Sequence, residues 1–184
     1  MSLADDLARA AAHAAEHAEP GDAVSGVIAT EPRPGDRVYL CALDGSDGLR
    51  GWIAVREDGA AVTTRKELRE AVSIAALCEV AGDAAGGGDV EALLASLGAL
   101  REAEAPPGIE QAEAAARALR EVLADPPQVA SPDRLDEIGA AARELERELD
   151  PTAASPFSVA LQSSQAAVSE LQREIEAGYR LPLS

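Results

Sequence analysis

"AVSGVIATEPRPGDRVYLCALDGSDGLRGWIAVREDG", residues 23–59, is the stretch whose reading decides the fold. Three runs rich in β-forming residues stand in it: AVSGVIAT at 23–30, RVYLCAL at 37–43 and GWIAVRE at 51–57. Branched and aromatic side chains suit a pleated surface, and clusters of Gly, Pro, Asp and Ser interrupt it. The first interruption is EPRPGD and the second DGSDGLRG, with a third turn, EDG, at 57–59. Asp-Gly pairs between such runs are ordinary hairpin chemistry. The stretch therefore predicts a three-stranded antiparallel meander, to which a short strand around Ala60–Val62 adds.

Outside this window the period changes from two to that of a helix. Leu3, Leu7, Ala10, Ala14 and Ala18 recur at helical spacing, and EPGD at 19–22 ends the element. After the meander, Thr64 to Glu67 spells the capping box T-x-x-E, and a helix runs from there to about Ala81. Its middle, AVSIAALCEVA, is apolar on most faces, which predicts a buried helix covering the sheet.

The Gly-rich run at 83–89 is the sharpest break in composition and the expected linker between an α+β module, 1–82, and a helical region, 90–180. Asp89 opens a helix carrying Val90, Leu93, Leu94, Leu97 and Leu100, and APPG stops it. The next carries Ala112, Ala116, Leu119, Val122 and Leu123, and DPP stops it. Ser-Pro pairs at 131–132 and 155–156 then start two more helices, each an N-cap serine with proline at the first helical position. Leu135, Ile138, Ala142, Leu145 and Leu149 form one seam, and Phe157, Leu161, Ser164, Val168, Leu171 and Ile175 another. Alternating steps of three and four pack helices side by side, so the expectation is a bundle of about four helices. The fold class predicted is α+β, mostly helical: a small meander covered by helices, then a bundle.

Composition narrows the function. Alanine supplies about a fifth of the 184 residues, and only Trp52, Phe157, Tyr39 and Tyr179 are aromatic. The formal charge is −17, with a single lysine, Lys66. Nucleic acids and anionic membrane surfaces need clustered cations, so neither is an expected partner. The bland reading of such charge is solubility. Arginine far outnumbers lysine, which suits a GC-rich bacterial genome. The first ten residues lack an apolar signal region and no run of about 20 strongly apolar residues occurs, so the expected location is the cytoplasm. Cys41 and Cys78 are too few for a disulfide framework and read as core residues.

Chemically specific patterns are few. HAAEH at 13–17 holds both histidines, His13 and His17, one helical turn apart, with Glu16 beside them. The order H-x-x-E-H resembles the inverzincin metalloprotease signature, which implies zinc on the two histidines and Glu16 as general base. The flanks are alanines, no strand precedes the motif, and Glu91 is the nearest candidate for a third ligand. Zinc hydrolysis is thus the remote reading, and His13 and His17 are weak metal candidates. AGGGD lacks the strand and the G-K-[ST] ending of a phosphate loop. LDGSDGLRG lacks the ligand spacing of a calcium loop. No cofactor and no catalytic set are expected. The alternative reading is a small-molecule sensor or enzyme with a pocket between the sheet and the central helix, for which Tyr39, Cys41, Trp52 and Cys78 are the candidate residues.

From Pro151 to Ser169 no residue is charged, in a chain about a quarter charged. Interface cores are depleted of charge. The alternative is a helix surrounded by its own bundle. The expectation is a non-enzymatic binding or scaffolding protein that works by helix-mediated association with a second copy or a protein partner. Phe157, Leu161, Gln162, Ser163 and Gln165 are its candidate contact residues.

Overall fold

The computed structural model describes residues 2–86, 89–124 and 128–184. Gly87 and Gly88 of the expected linker, and the DPP stop at 125–127, lie outside the described residues. The order is α1 (Leu3–His17), β1 (Ala23–Thr30), β2 (Val38–Gly45), β3 (Gly48–Arg56), α2 (Arg65–Ala84), α3 (Val90–Ala103), α4 (Ile109–Ala124), α5 (Pro132–Leu149), α6 (Pro156–Ser163) and α7 (Gln165–Ala177). The protein is α+β and mostly helical.

The strands form one antiparallel sheet in the order β1-β2-β3. The second hairpin is tighter than its sequence suggests. Leu49 pairs with Asp44 and Gly48 with Gly45, so only Ser46 and Asp47 remain as the turn. Gly48 sits at φ 106°, a backbone that favours glycine. Ladder bonding continues through residues whose turn chemistry had suggested a longer loop. Ala61 adds only an isolated bridge to Val55.

Contacts divide the chain into two units: Met1–Ala76, Pro127–Pro132 and Ala166–Ser184 form one, and Leu77–Pro126 with Asp133–Gln165 the other. In the first, the sheet has a core on each face. Ala10 and Ala14 of α1 pack with Tyr39, Cys41, Leu43, Ile53 and Val55. On the opposite face Val38, Leu40 and Ala54 meet Leu68, Ala71 and Val72 of α2 and Ile175 of α7. Strand alternation makes both faces of β2 apolar, as a central strand between two helical layers requires. The sheet's edges are engaged as well. Ala130 exchanges backbone hydrogen bonds with Ala29 and Glu31, and Gly178 and Arg180 do so with Trp52. Bonds of this kind occupy edge groups that would otherwise template another strand.

Caps fix the helix starts. Ser2 and Asp5 form a reciprocal capping box on α1. On α2 only half of the expected box forms. Thr64 Oγ1 accepts the Glu67 N–H, while the Glu67 carboxylate takes a two-pronged bond from Arg56 at 2.7 and 2.6 Å. A fork-to-fork ion pair outcompetes one more bond to a backbone N–H. Asp89 stands at the N-cap of α3 but its side chain makes no capping bond.

In the second unit, Ala81, Val90, Leu97, Ile109, Ala116, Leu119, Ile138, Leu145 and Phe157 share one core. Glu113 is buried there and is paired with Arg101 at 3.0 Å and Arg117 at 3.6 Å, which offsets the cost of burying its charge. The long helix predicted from Ser155 onward is broken. α6 ends at Ser163, and the Ser164 hydroxyl bonds back to the Leu161 carbonyl at 2.7 Å. Phe157 therefore joins the second unit's core, whereas Leu171 and Ile175 belong to the sheet's.

Candidate functional site

The charge-free stretch begins in the corner between α5 and α6. Ser155 caps α6, accepting the Ser158 N–H on its hydroxyl at 3.1 Å, and Pro156 occupies the first helical position. Proline there has no N–H to satisfy. The next free donor, the Phe157 N–H, is taken by Glu146 Oε1 of α5 at 2.8 Å. The other oxygen of Glu146 accepts from the Ser155 hydroxyl. One carboxylate thus ties the start of α6 to α5, where negative charge also suits the helix dipole.

The corner forms an open recess of about 300 Å³. Its walls are Leu149, Pro151, Ala153, Ala154 and Pro156. Four charged side chains also line it: Arg143, Glu146, Arg147 and Asp150. Glu146 is occupied as described. Arg147 pairs with Glu144 at 2.5 Å, and Asp150 accepts the Thr152 hydroxyl at 2.8 Å and its N–H at 3.1 Å. The Thr152 hydroxyl, then its N–H, hold the Asp150 carboxyl below its ordinary value. Arg143 differs. Its guanidinium lies over the Phe157 ring, 5.6 Å from the centroid, and makes no ion pair among the described residues. Gly139, one turn earlier, leaves room for that stack. A Cβ there would come within 3.0 Å of an Arg143 nitrogen and 3.2 Å of Phe157 Cε1.

The five expected contact residues do not share a surface. Phe157 is fully buried and cannot meet a partner as it stands, because its ring fills the core beneath Arg143. Leu161 is half-buried against the same core. Gln162, Ser163 and Gln165 are exposed. The outward residue that sequence reasoning missed is Val159, 57 % exposed. It lies off the seam set by Phe157 and Leu161, so its lack of charged neighbours in sequence was the only available signal.

The candidate pocket residues are also separated. Tyr39 and Cys41 point into the α1 face of the sheet and Trp52 into the opposite face, as strand alternation dictates. Cys78 lies on the part of α2 that belongs to the second unit. Burial pushes the Cys41 thiol up to about 12, so it stays protonated and is a poor nucleophile. Tyr39 Oη is buried without a hydrogen-bond partner among the described residues.

His13 and His17 stand on α1. The His13 ring rests against Gly59, where a Cβ would come within 2.7 Å of Nδ1, and that nitrogen is 4.0 Å from Glu16 Oε1. His17 is exposed in the last turn of the helix. Among the described residues no group of three or more His, Cys, Asp or Glu side chains could hold a metal ion. No helix among them is long and apolar enough to cross a membrane. No known family, curated protein or solved structure matches the chain.

Proposed function

We propose that the chain is a non-enzymatic binding protein that works by helix-mediated self-association, through the outward face of α6. The observation that carries the reading is the conjunction at Val159. A large apolar side chain is 57 % exposed in the middle of a 19-residue run without charge, on a chain of formal charge −17. Two copies of so acidic a protein repel one another over most orientations. They can approach where like charges are absent and where an apolar side chain gains by leaving water. Ser158, Gln162 and Ser163 flank Val159 as exposed neutral residues, able to form the polar rim of a small interface.

Sedimentation velocity across a concentration series tests this. The expected result is reversible association in the micromolar range that is lost in Val159→Glu. A monomer at all concentrations, or association unchanged by that substitution, overturns the reading.

A further inference from the structure

A second feature of the α5–α6 corner points to a ligand, independently of self-association. The recess has the size of the smaller ligand pockets, which begin at about 300 Å³ and are mainly apolar with a few placed polar groups. Three of its four charged side chains already have partners of complementary chemistry: Glu146 with Ser155 and the Phe157 N–H, Arg147 with Glu144 as an ion pair, and Asp150 with Thr152. Of the four, Arg143 alone has only an aromatic ring as partner among the described residues.

The geometry of that contact matters. The guanidinium carbon stands at cation–π distance from the Phe157 ring, a contact that uses its charge and leaves its N–H donors without an acceptor among the described residues. A planar fork that lacks a carboxylate is suited to a two-pronged bond with one. Leucine, prolines and alanines supply the apolar part of the wall, and the other charged side chains that line it, Glu146, Arg147 and Asp150, are already paired.

We propose that the recess binds a small monocarboxylate with a short apolar tail. Its carboxylate pairs with Arg143, and its tail lies along Leu149, Pro151 and Ala154. The chain's overall charge opposes any anion at long range, so such a ligand is held by contact rather than by steering.

The test is calorimetric titration of the full chain with hexanoate, and with hexanamide as its neutral counterpart. Hexanoate should saturate one site, and hexanamide should bind at least about tenfold more weakly, the worth of one charge-assisted pair. Arg143→Gln should weaken hexanoate by a similar factor and leave hexanamide unaffected. Ala154→Trp, which fills the recess, should remove both. No saturation at millimolar hexanoate, equal affinity for the amide, or undiminished affinity in Arg143→Gln each overturns the proposal. Should Arg143→Gln fail to fold, the comparison of acid and amide on the unaltered chain decides alone. Val159→Glu, which tests self-association, lies outside the recess and should leave hexanoate binding as it was.

Discussion

Glu146 accepts the backbone N–H of Phe157 at 2.8 Å on one oxygen while its other oxygen takes the Ser155 hydroxyl. The bond joins a residue of α5 to the first turn of α6, and it is made just where the fully buried Phe157 ring enters the core. Helix starts leave N–H groups without intrahelical partners, and one buried without a substitute is costly. Glu146→Ala should therefore lower stability by about 1–3 kcal/mol in urea unfolding. Glu146→Gln keeps one acceptor oxygen and should lose less. If both variants unfold at the wild-type midpoint, the tie does not persist in solution.

Gly139 lies inside α5, where alanine would ordinarily stabilise by about 1 kcal/mol. Here the sign should reverse. The Arg143 nitrogens at 3.0 and 3.2 Å can swing away, but Phe157 Cε1 at 3.2 Å belongs to a ring with no exposed surface. Gly139→Ala is expected to destabilise by about 1–3 kcal/mol through overpacking. Adding Arg143→Ala should recover only part of that loss. A stabilised Gly139→Ala would mean that the ring has room to move.

The meander was legible because its three runs and their turn residues act locally: the strands begin and end within a few residues of the sequence reading. The tight second hairpin was not. Whether Leu49 and Arg50 join a strand depends on Leu43 and Asp44 of β2 across the ladder, where the register shifts, not on their own chemistry. The seam from Phe157 to Ile175 shows a deeper limit. Periodicity reports that side chains share a stripe but not which core the stripe faces. A one-residue break at Ser164 leaves Phe157 with Ile138 and Leu145, and Ile175 with Val38 and Leu40. The absence of charge around α6 was legible from composition alone. The stack of Arg143 on Phe157 was not, because it depends on how two helices meet.

Tyr179 closes the end of the first unit. Its hydroxyl donates to the Val62 carbonyl at 2.7 Å and accepts the Ala54 N–H at 3.1 Å. Burial raises the phenol above its usual value, so it remains a neutral donor across the physiological range. Tyr179→Phe leaves both backbone groups unpaired and should cost about 1–3 kcal/mol. Amide exchange at Ala54 should accelerate in the same variant. Unchanged exchange there would show that the hydroxyl does not protect that N–H.

Cys41 should behave as a core residue. With its thiol pushed up to about 12 by burial, almost no thiolate exists at pH 8, and the sulfur is inaccessible. Iodoacetamide should leave Cys41 unmodified in the folded chain and label it in urea, as peptide mapping can read. Labelling of the folded chain on the same timescale would require the α1 face to open.

The turn after α5 has its own pH signature. Asp150 is held below its ordinary value by the Thr152 hydroxyl first and the Thr152 N–H second, bonds that favour the charged form. A carboxyl whose folded value is depressed contributes stability that is present above its unfolded value, near 3.9, and is lost as pH falls through the folded value. The turn should accordingly loosen only in acid below the usual carboxylate range. A carbon-detected titration should place the Asp150 midpoint below that range, and Thr152→Val should move it back up. Asp150 also lines the recess, with its carboxylate engaged by Thr152. Thr152→Val should therefore weaken hexanoate as well, because the released carboxylate competes for the same guanidinium. A midpoint that shifts in Thr152→Val while hexanoate binding stays constant would separate the turn from the recess.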